Sequence, residues 1–466
     1  MATATASYKD LVNSRHPAYV AREAFWRLAR SSYQGGPDFA ASSHLFGHRL
    51  ENRDDYQRRA GRAYYLNYCR PVVDTYASYL FRTPPSVLPS ESLGSLVGDA
   101  DGRGGDLTSL MKRAFVQAAI FGHVLIGVDR PRSDKAPTTK AEEIELGLND
   151  YFHLVLPDNF LHWATDGDGA MQWCLVRHPE WRAAPGKPQP AKGDALFGYR
   201  LWTRDEWILL DESGAVLERG ANPYGRVPFV SLRFRESDRP VVGESLLASI
   251  AYVNREIFNL SSLLSEILYR QTFSQLVAEG SSHEYAEGGD LGKLGTASIF
   301  LYPEGRTAPQ FISPDAAQAQ LLMEQIDHLI DEVYRLANLS RGSAREGKMA
   351  SGIAKAFDFL DTNQALADAA QNVASAFSEA IGLARPEWRG TIQFPGDFGV
   401  ADAGTMLDEI ERTHALPIGP TFRRRLLEKL ARSLLRELPE AQRREVFHEI
   451  QQGPDAGAGS ENDAQP

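Results

Sequence analysis

Two runs of apolar residues at helical spacing, set on either side of about forty residues of turn and strand pattern, limit most strongly what this chain can fold into. In the first run Leu246, Ile250, Val253, Ile257, Leu260, Leu264 and Ile267 step by four and three alternately. Leu322, Ile326, Leu329, Val333 and Leu336 do the same in the second. This spacing gathers the apolar side chains on one narrow helical face, the seam of a coiled coil. Between the two helices, Gly288-Gly289 to Gly295 reads as turn, Ala297 to Tyr302 as strand and Pro303 to Pro314 as loop.

The remainder of the chain alternates in character. A short helix is expected over 18–33, and a tyrosine-rich helix over 54–81 with a bend at Pro71. Thr83-Pro84-Pro85 stops it, and a Gly/Asp linker spans 98–106. Leu107 to Phe121 reads as helix, broken by Gly122, and His123 to Asp129 as a buried strand. Residues 151–234 form a β-rich module, punctuated by turns such as Asp166-Gly167-Asp168-Gly169 and Ser213-Gly214. An alanine-rich helix is expected over 353–383, one strand within 390–400, helices over 403–413, 420–438 and 439–451, and a disordered tail over 453–466. The fold class is therefore α+β, mainly helical, and 466 residues suggest two to four modules.

Composition narrows the function classes. The longest nearly apolar stretch, Ala118 to Val128, falls well short of the roughly 20 residues a membrane helix needs. With no signal peptide pattern at Met1 to Tyr8, a soluble protein made in the cytoplasm and without membrane contact is expected. Cys69 and Cys174 are too few for a disulfide framework or a zinc site and read as reduced thiols. A net charge of −11 argues against a protein that grips duplex DNA, but suits one that DNA slides past.

No catalytic constellation emerges. Gly342 to Lys348 matches the first seven positions of a phosphate-binding loop, but Met349 stands where a magnesium-ligating hydroxyl is required, and a helix rather than a strand precedes it. Asp166-Gly-Asp-Gly resembles part of a calcium loop, yet Arg177 stands at the glutamate position, so a β-turn is the better reading. The cluster Arg423-Arg424-Arg425 shares its helix with Glu428, Glu437 and five leucines, and reads as an amphipathic helix of mixed charge. On the second long helix Glu324, Asp327 and Asp331 lie at i, i+3 and i+7, away from part of the seam; they form either a solvated face or a negatively charged wall. Neither cofactor nor metal is expected.

Four ordered segments resemble the phage portal family. Tyr65 to Pro85 is similar to the family's wing helix, and Ala118 to Asp129 to its "small residues, Gly, apolar strand" element. Pro223-Tyr-Gly225-Arg-Val-Pro228-Phe229-Val230 resembles the strand entry before the first stem helix. Ser351-Gly352-Ile-Ala354-Lys-Ala-Phe357 resembles the start of the tunnel-proximal helix. The resemblance covers roughly residues 15–450, and the C-terminal region is short for the family.

That resemblance implies a ring subunit with a wing over 1–242, stem helices over 243–273 and 316–340, a clip over 274–315 and a tunnel loop over 341–352. Residues 353–400 would return to the wing and 401–452 would form a small crown. It further implies a non-enzymatic homo-oligomeric ring, usually of about twelve copies, at one capsid vertex, closed because each copy repeats the same heterologous contact. The implied partners are the terminase large subunit, head-completion or adaptor proteins, the major capsid or scaffold protein, and passing double-stranded DNA. Its place would be the virion, after assembly in the host cytoplasm. Arg341, Arg345 and Lys348 would touch phosphates weakly from the tunnel loop, and Glu324, Asp327 and Asp331 would line the channel. The competing readings are another virion structural or adaptor protein, and an enzyme with a helical cap.

Overall fold

A computed structural model of the chain describes residues 8–131, 148–180, 196–271, 275–277, 310–312, 317–339, 352–396 and 440–452, with isolated positions at 142, 398, 419, 421, 424, 425, 427, 428 and 431. Its helices are α1 (Lys9–Val12), α2 (Pro17–Val20), α3 (Glu23–Gln34), α4 (Gly36–Ala41), α5 (Arg53–Ala60), α6 (Cys69–Leu80), α7 (Ser95–Gly98), α8 (Leu107–Phe121), α9 (Ile250–Gln271), α10 (Ala317–Leu336), α11 (Gly352–Ala384) and α12 (Glu440–Gln452). The strands are β1 (Ser86–Leu88), β2 (His123–Asp129), β3 (Tyr151–Val155), β4 (Phe160–Thr165), β5 (Met171–Glu180), β6 (Leu196–Thr203), β7 (Glu206–Leu210), β8 (Val216–Ala221), β9 (Phe229–Arg233), β10 (Gln275–Val277), β11 (Gln310–Ile312) and β12 (Thr391–Gln393). The fold is mixed α+β. The chain divides into two compact units, one of Met1–Ala29, Pro71–Ala248 and Tyr334–Pro466, the other of Arg30–Arg70 and Ser249–Val333.

In the first unit, β3-β2-β9 form an antiparallel three-stranded sheet and β4 to β8 a five-stranded meander. Strand β2 is central and fully apolar from Val124 to Val128 apart from Gly127, as a strand buried on both faces must be. Val12 of α1 joins Leu161, Leu175, Leu201, Ile208 and Leu210 in a core on one face of the meander. The long helix α11 carries a buried line of Leu366, Ala370, Val373, Phe377 and Ile381, at helical spacing. Asp166 closes the β4–β5 turn by accepting the Asp168 and Ala170 N–H groups, so the calcium-like motif is a turn.

The expected helix over 18–33 is divided into α2 and α3, and that over 54–81 into α5 and α6. Pro71 does not bend a helix. It sits in the first turn of α6, where a missing N–H costs nothing, and the Asn67 side chain accepts the Arg70 N–H there. Helix α8 fits its sequence signals, with Asp106 accepting the Ser109 N–H at its start and Gly122 at φ +93° at its end. The β-rich module expected over 151–234 is present as β3 to β9. The helix expected over 353–383 is α11 and that over 439–451 is α12. The strand expected over 297–302 and the helix expected over 403–413 lie outside the described residues, as does most of 420–438.

The second unit is built on α9. Its apolar seam is only part of what it buries: Ile257 is covered, but Val253, Leu260, Leu264 and Ile267 are half-buried, whereas Asn254, Asn259, Ser261 and Ser262 are buried. Those polar side chains hold the N-terminal segment. Asn254 accepts from the Tyr65 hydroxyl (2.7 Å) and the Tyr68 N–H (3.0 Å) and donates to the Leu66 carbonyl (2.8 Å). Asn259 accepts the Phe46 N–H and donates to the His44 carbonyl. The buried Arg59 donates to Ser262, to the Phe46 carbonyl and twice to Glu51, whose carboxyl it holds down at about 2.

A methyl group at Gly122 would lie 2.4 Å from the Gly243 carbonyl oxygen, on a backbone that only glycine adopts at ease. Gly122→Ala is expected to destabilise the fold by at least about 2 kcal/mol, read as a lowered urea midpoint at unchanged slope.

Candidate functional site

The acidic positions fall on one solvent-facing side of α10. Glu324, Asp327 and Asp331 are all exposed, while Ala319, Ile326, Ile330 and Val333 are buried on the other side. The seam is wider than its heptad spacing suggests, since Ile330 joins it, and Leu322, Leu329 and Leu336 are half-buried. Glu324 accepts from Gln320 one turn earlier at 3.1 Å. Three carboxylates thus share a two-turn face. Arg341, Arg345 and Lys348 lie outside the described residues, as does the motif Gly342 to Met349.

Strands β10 and β11 pair antiparallel, with Gln275 opposite Ile312 and Val277 opposite Gln310. The chain therefore leaves the end of α9 and returns to the start of α10 through neighbouring points.

In the other unit Asp150 is the strongest charged group that the sequence reading missed. Its carboxylate is 1% exposed and accepts from Arg130 (3.0 and 3.2 Å), Arg385 (2.5 Å) and the Tyr224 hydroxyl (3.1 Å). Burial, with the carboxylate beside it, pushes the Tyr224 hydroxyl well up, so it stays protonated and donates. No local signal marks Asp150, because its partners lie 20, 74 and 235 residues away.

Burial sets the state of the two cysteines and of His123. Both cysteines are buried; burial pushes Cys69 up to about 12 and Cys174 well above its ordinary value, which leaves inert thiols. His123, at 2.5 Å from the Tyr19 hydroxyl, is held neutral by burial, down at about 3. A cavity of about 640 Å³ beside α11 is lined by Arg235, Glu236, Asp361, Gln364, Asp368 and Asn372 among others. Its described lining includes no serine, cysteine, histidine or lysine. Among the described residues no group of three or more His, Cys, Asp or Glu could hold a metal ion, and no helix is long and apolar enough to cross a membrane.

Neither a protein-family model nor a curated protein matches the sequence. Among solved structures, one described as the virion of a native gene transfer agent particle contains a chain that aligns with 88% of this chain and 93% of its own length. The identity is 12% and the TM-score 0.39. A chain from the neck of an empty gene transfer agent particle, computed with C6 symmetry, aligns over 89% and 98% at 13% identity, again with a TM-score of 0.39. Likeness this slight assigns neither fold nor role.

Two substitutions separate structural charge from surface charge. Asp150→Ala leaves Arg130 and Arg385 without their buried counter-charge and is expected to cost about 3 kcal/mol, the low end for a broken buried pair because Arg130 is 38% exposed. Changing the exposed Glu324 to Gln is expected to shift stability by less than about 0.5 kcal/mol. Chemical denaturation of both variants checks the contrast.

Proposed function

We propose that this chain is a portal-type subunit that forms a ring-shaped channel at one capsid vertex, through which DNA is packaged and ejected. The observation that carries the reading is the order α9, β10, β11, α10: two long helices joined through an excursion whose two ends are paired. In a portal these parts are the first stem helix, the clip and the second stem helix. Two further features support it. The seams of α9 and α10 are only half-buried at Val253, Leu260, Leu264, Leu322 and Leu329, which leaves apolar surface for neighbouring copies in a ring. The exposed carboxylates of α10 suit a wall that DNA passes without sticking.

On this reading, residues 1–242 form the wing, 243–273 and 316–340 the stem, 274–315 the clip and 341–352 the tunnel loop. Residues 353–400 return to the wing and 401–452 make a small crown. The clip docks the terminase large subunit and later a head-completion or adaptor protein, while the capsid or scaffold protein surrounds the ring. Arg341, Arg345 and Lys348 make weak, salt-screened phosphate contacts. Energy for packaging comes from the separate motor, and the chain itself is not an enzyme.

Native mass spectrometry tests this directly. The expected species is a homogeneous ring near about twelve times 51.6 kDa, with an axial channel in negative-stain images. Rings without a channel point to an adaptor, and a monomer at all salt concentrations, even with scaffold protein present, overturns the reading. In assembled rings, Glu324→Lys, Asp327→Lys and Asp331→Lys together are expected to retain ring mass and to slow DNA exit, since added positive charge holds phosphate. Exit at the unaltered rate removes the channel-wall role from this face.

A further inference from the structure

The two sheets of the first unit meet across a small group of ionisable side chains. Asp129 ends β2 and His153 lies on β3, both in the three-stranded sheet, whereas His178 lies on β5 and Arg200 on β6 of the meander. Arg200 reaches across to Asp129 at 2.7 Å. The His153 and His178 rings face each other with centroids 6.2 Å apart. Although His153 as a residue is half-buried, both of its ring nitrogens are sealed from solvent and have no hydrogen-bond partner among the described residues; the Arg200 Nε is likewise buried without one there. A neutral imidazole always carries one N–H, so His153 holds an orphaned donor between the sheets, an arrangement a fold normally avoids.

The ring is closely packed on two sides. It lies over Gly127, its cross-strand neighbour, where a Cβ would come within 2.4 Å of Cε1. Phe229 stands edge-on to it at 5.8 Å. The ionisable groups facing the pair are Asp129 from β2, Tyr151 from β3 (ring centroid 6.1 Å from His153), Arg200 from β6 and Arg103 from the 99–105 turn. Asp129 is the one anion in this set and Arg200 already occupies it. Protonating the pair would place two new positive charges beside two arginines.

We propose that His153 and His178 form an acid-operated latch between the two sheets: neutral, they let the sheets close, and protonated, they drive them apart locally. Burial is the first cause that keeps both rings neutral, with Arg200 adding to it and Asp129 opposing, and each is held down at about 4 from an ordinary 6.5. The sign follows. The opened state takes up protons at the ordinary value and the closed state only at the lower one. The latch is thus fully shut above about pH 6.5 and loosens as pH falls towards about 4.

Hydrogen–deuterium exchange of the full chain at about pH 7.5 and about pH 5, with times scaled to the intrinsic rates, reads the opening. Amides of β3, β5 and β6 are expected to exchange at least about tenfold faster at the lower pH. In His153→Gln/His178→Gln that acceleration falls by at least about tenfold; what remains comes from histidines elsewhere, His123 among them. Equal protection at both pH values overturns the latch, as does an acceleration that persists in full in the double variant. Should the double variant fail to fold, hydrogen exchange at the imidazole C2 of the unaltered chain decides instead. Both rings must titrate below the ordinary value, and a midpoint of about 6.5 for either overturns the proposal.

Discussion

The first unit depends on one buried carboxylate. Asp150 sits at the entry to β3 and is gripped by Arg130, just past the end of β2, by Arg385, just past the end of α11, and by Tyr224, ahead of β9. Four segments far apart in the chain are thus referred to a single point. Two guanidinium groups and a hydroxyl satisfy the carboxylate, which makes its burial tolerable. Apolar packing of α11 on β2 and β9 supplies the bulk of the attraction, but such packing permits sliding. The charged cluster fixes where along the sheet the helix ends.

The second unit solves the same problem with amides. Asn254 and Asn259 bind backbone groups of residues 44–68, a stretch largely without helix or strand partners for its own N–H and C=O groups. Buried backbone must find partners, and here α9 provides them from its side chains. That use of one face of α9 explains why its heptad seam is only half-covered. The helix serves an intrachain partner with one side and keeps apolar surface on another.

Periodicity made most elements legible. Most of the seam residues marked α9 and α10, Gly122 marked the end of α8, and the run His123 to Asp129 matched β2. The helix misread over 54–81 has a tertiary cause. Tyr56, Tyr64, Tyr65 and Tyr68 suggested a continuous helix over 54–81, but Tyr65 and the backbone of Leu66 and Tyr68 are claimed by Asn254, almost 190 residues later. Tertiary hydrogen bonds overrode a local pattern there. The acidic face of α10 was visible because helical spacing alone puts Glu324, Asp327 and Asp331 together. The His153–His178 pair was not, since strands adjacent in space need not be adjacent in sequence.

By itself, then, the sequence determined which segments are helices and strands, where the chain turns, and which positions on a single helix share a face. These are properties of windows of a few residues, set by backbone sterics and by the burial of apolar side chains. Only the tertiary structure decided what those segments do to one another. It placed Asp150 against Arg130 and Arg385, turned the polar side of α9 inward, paired β10 with β11, and sealed His153 between two sheets. A buried charge or amide has no preferred sequence distance to its partner; it needs only a partner within hydrogen-bond reach, and the folded chain alone sets that distance.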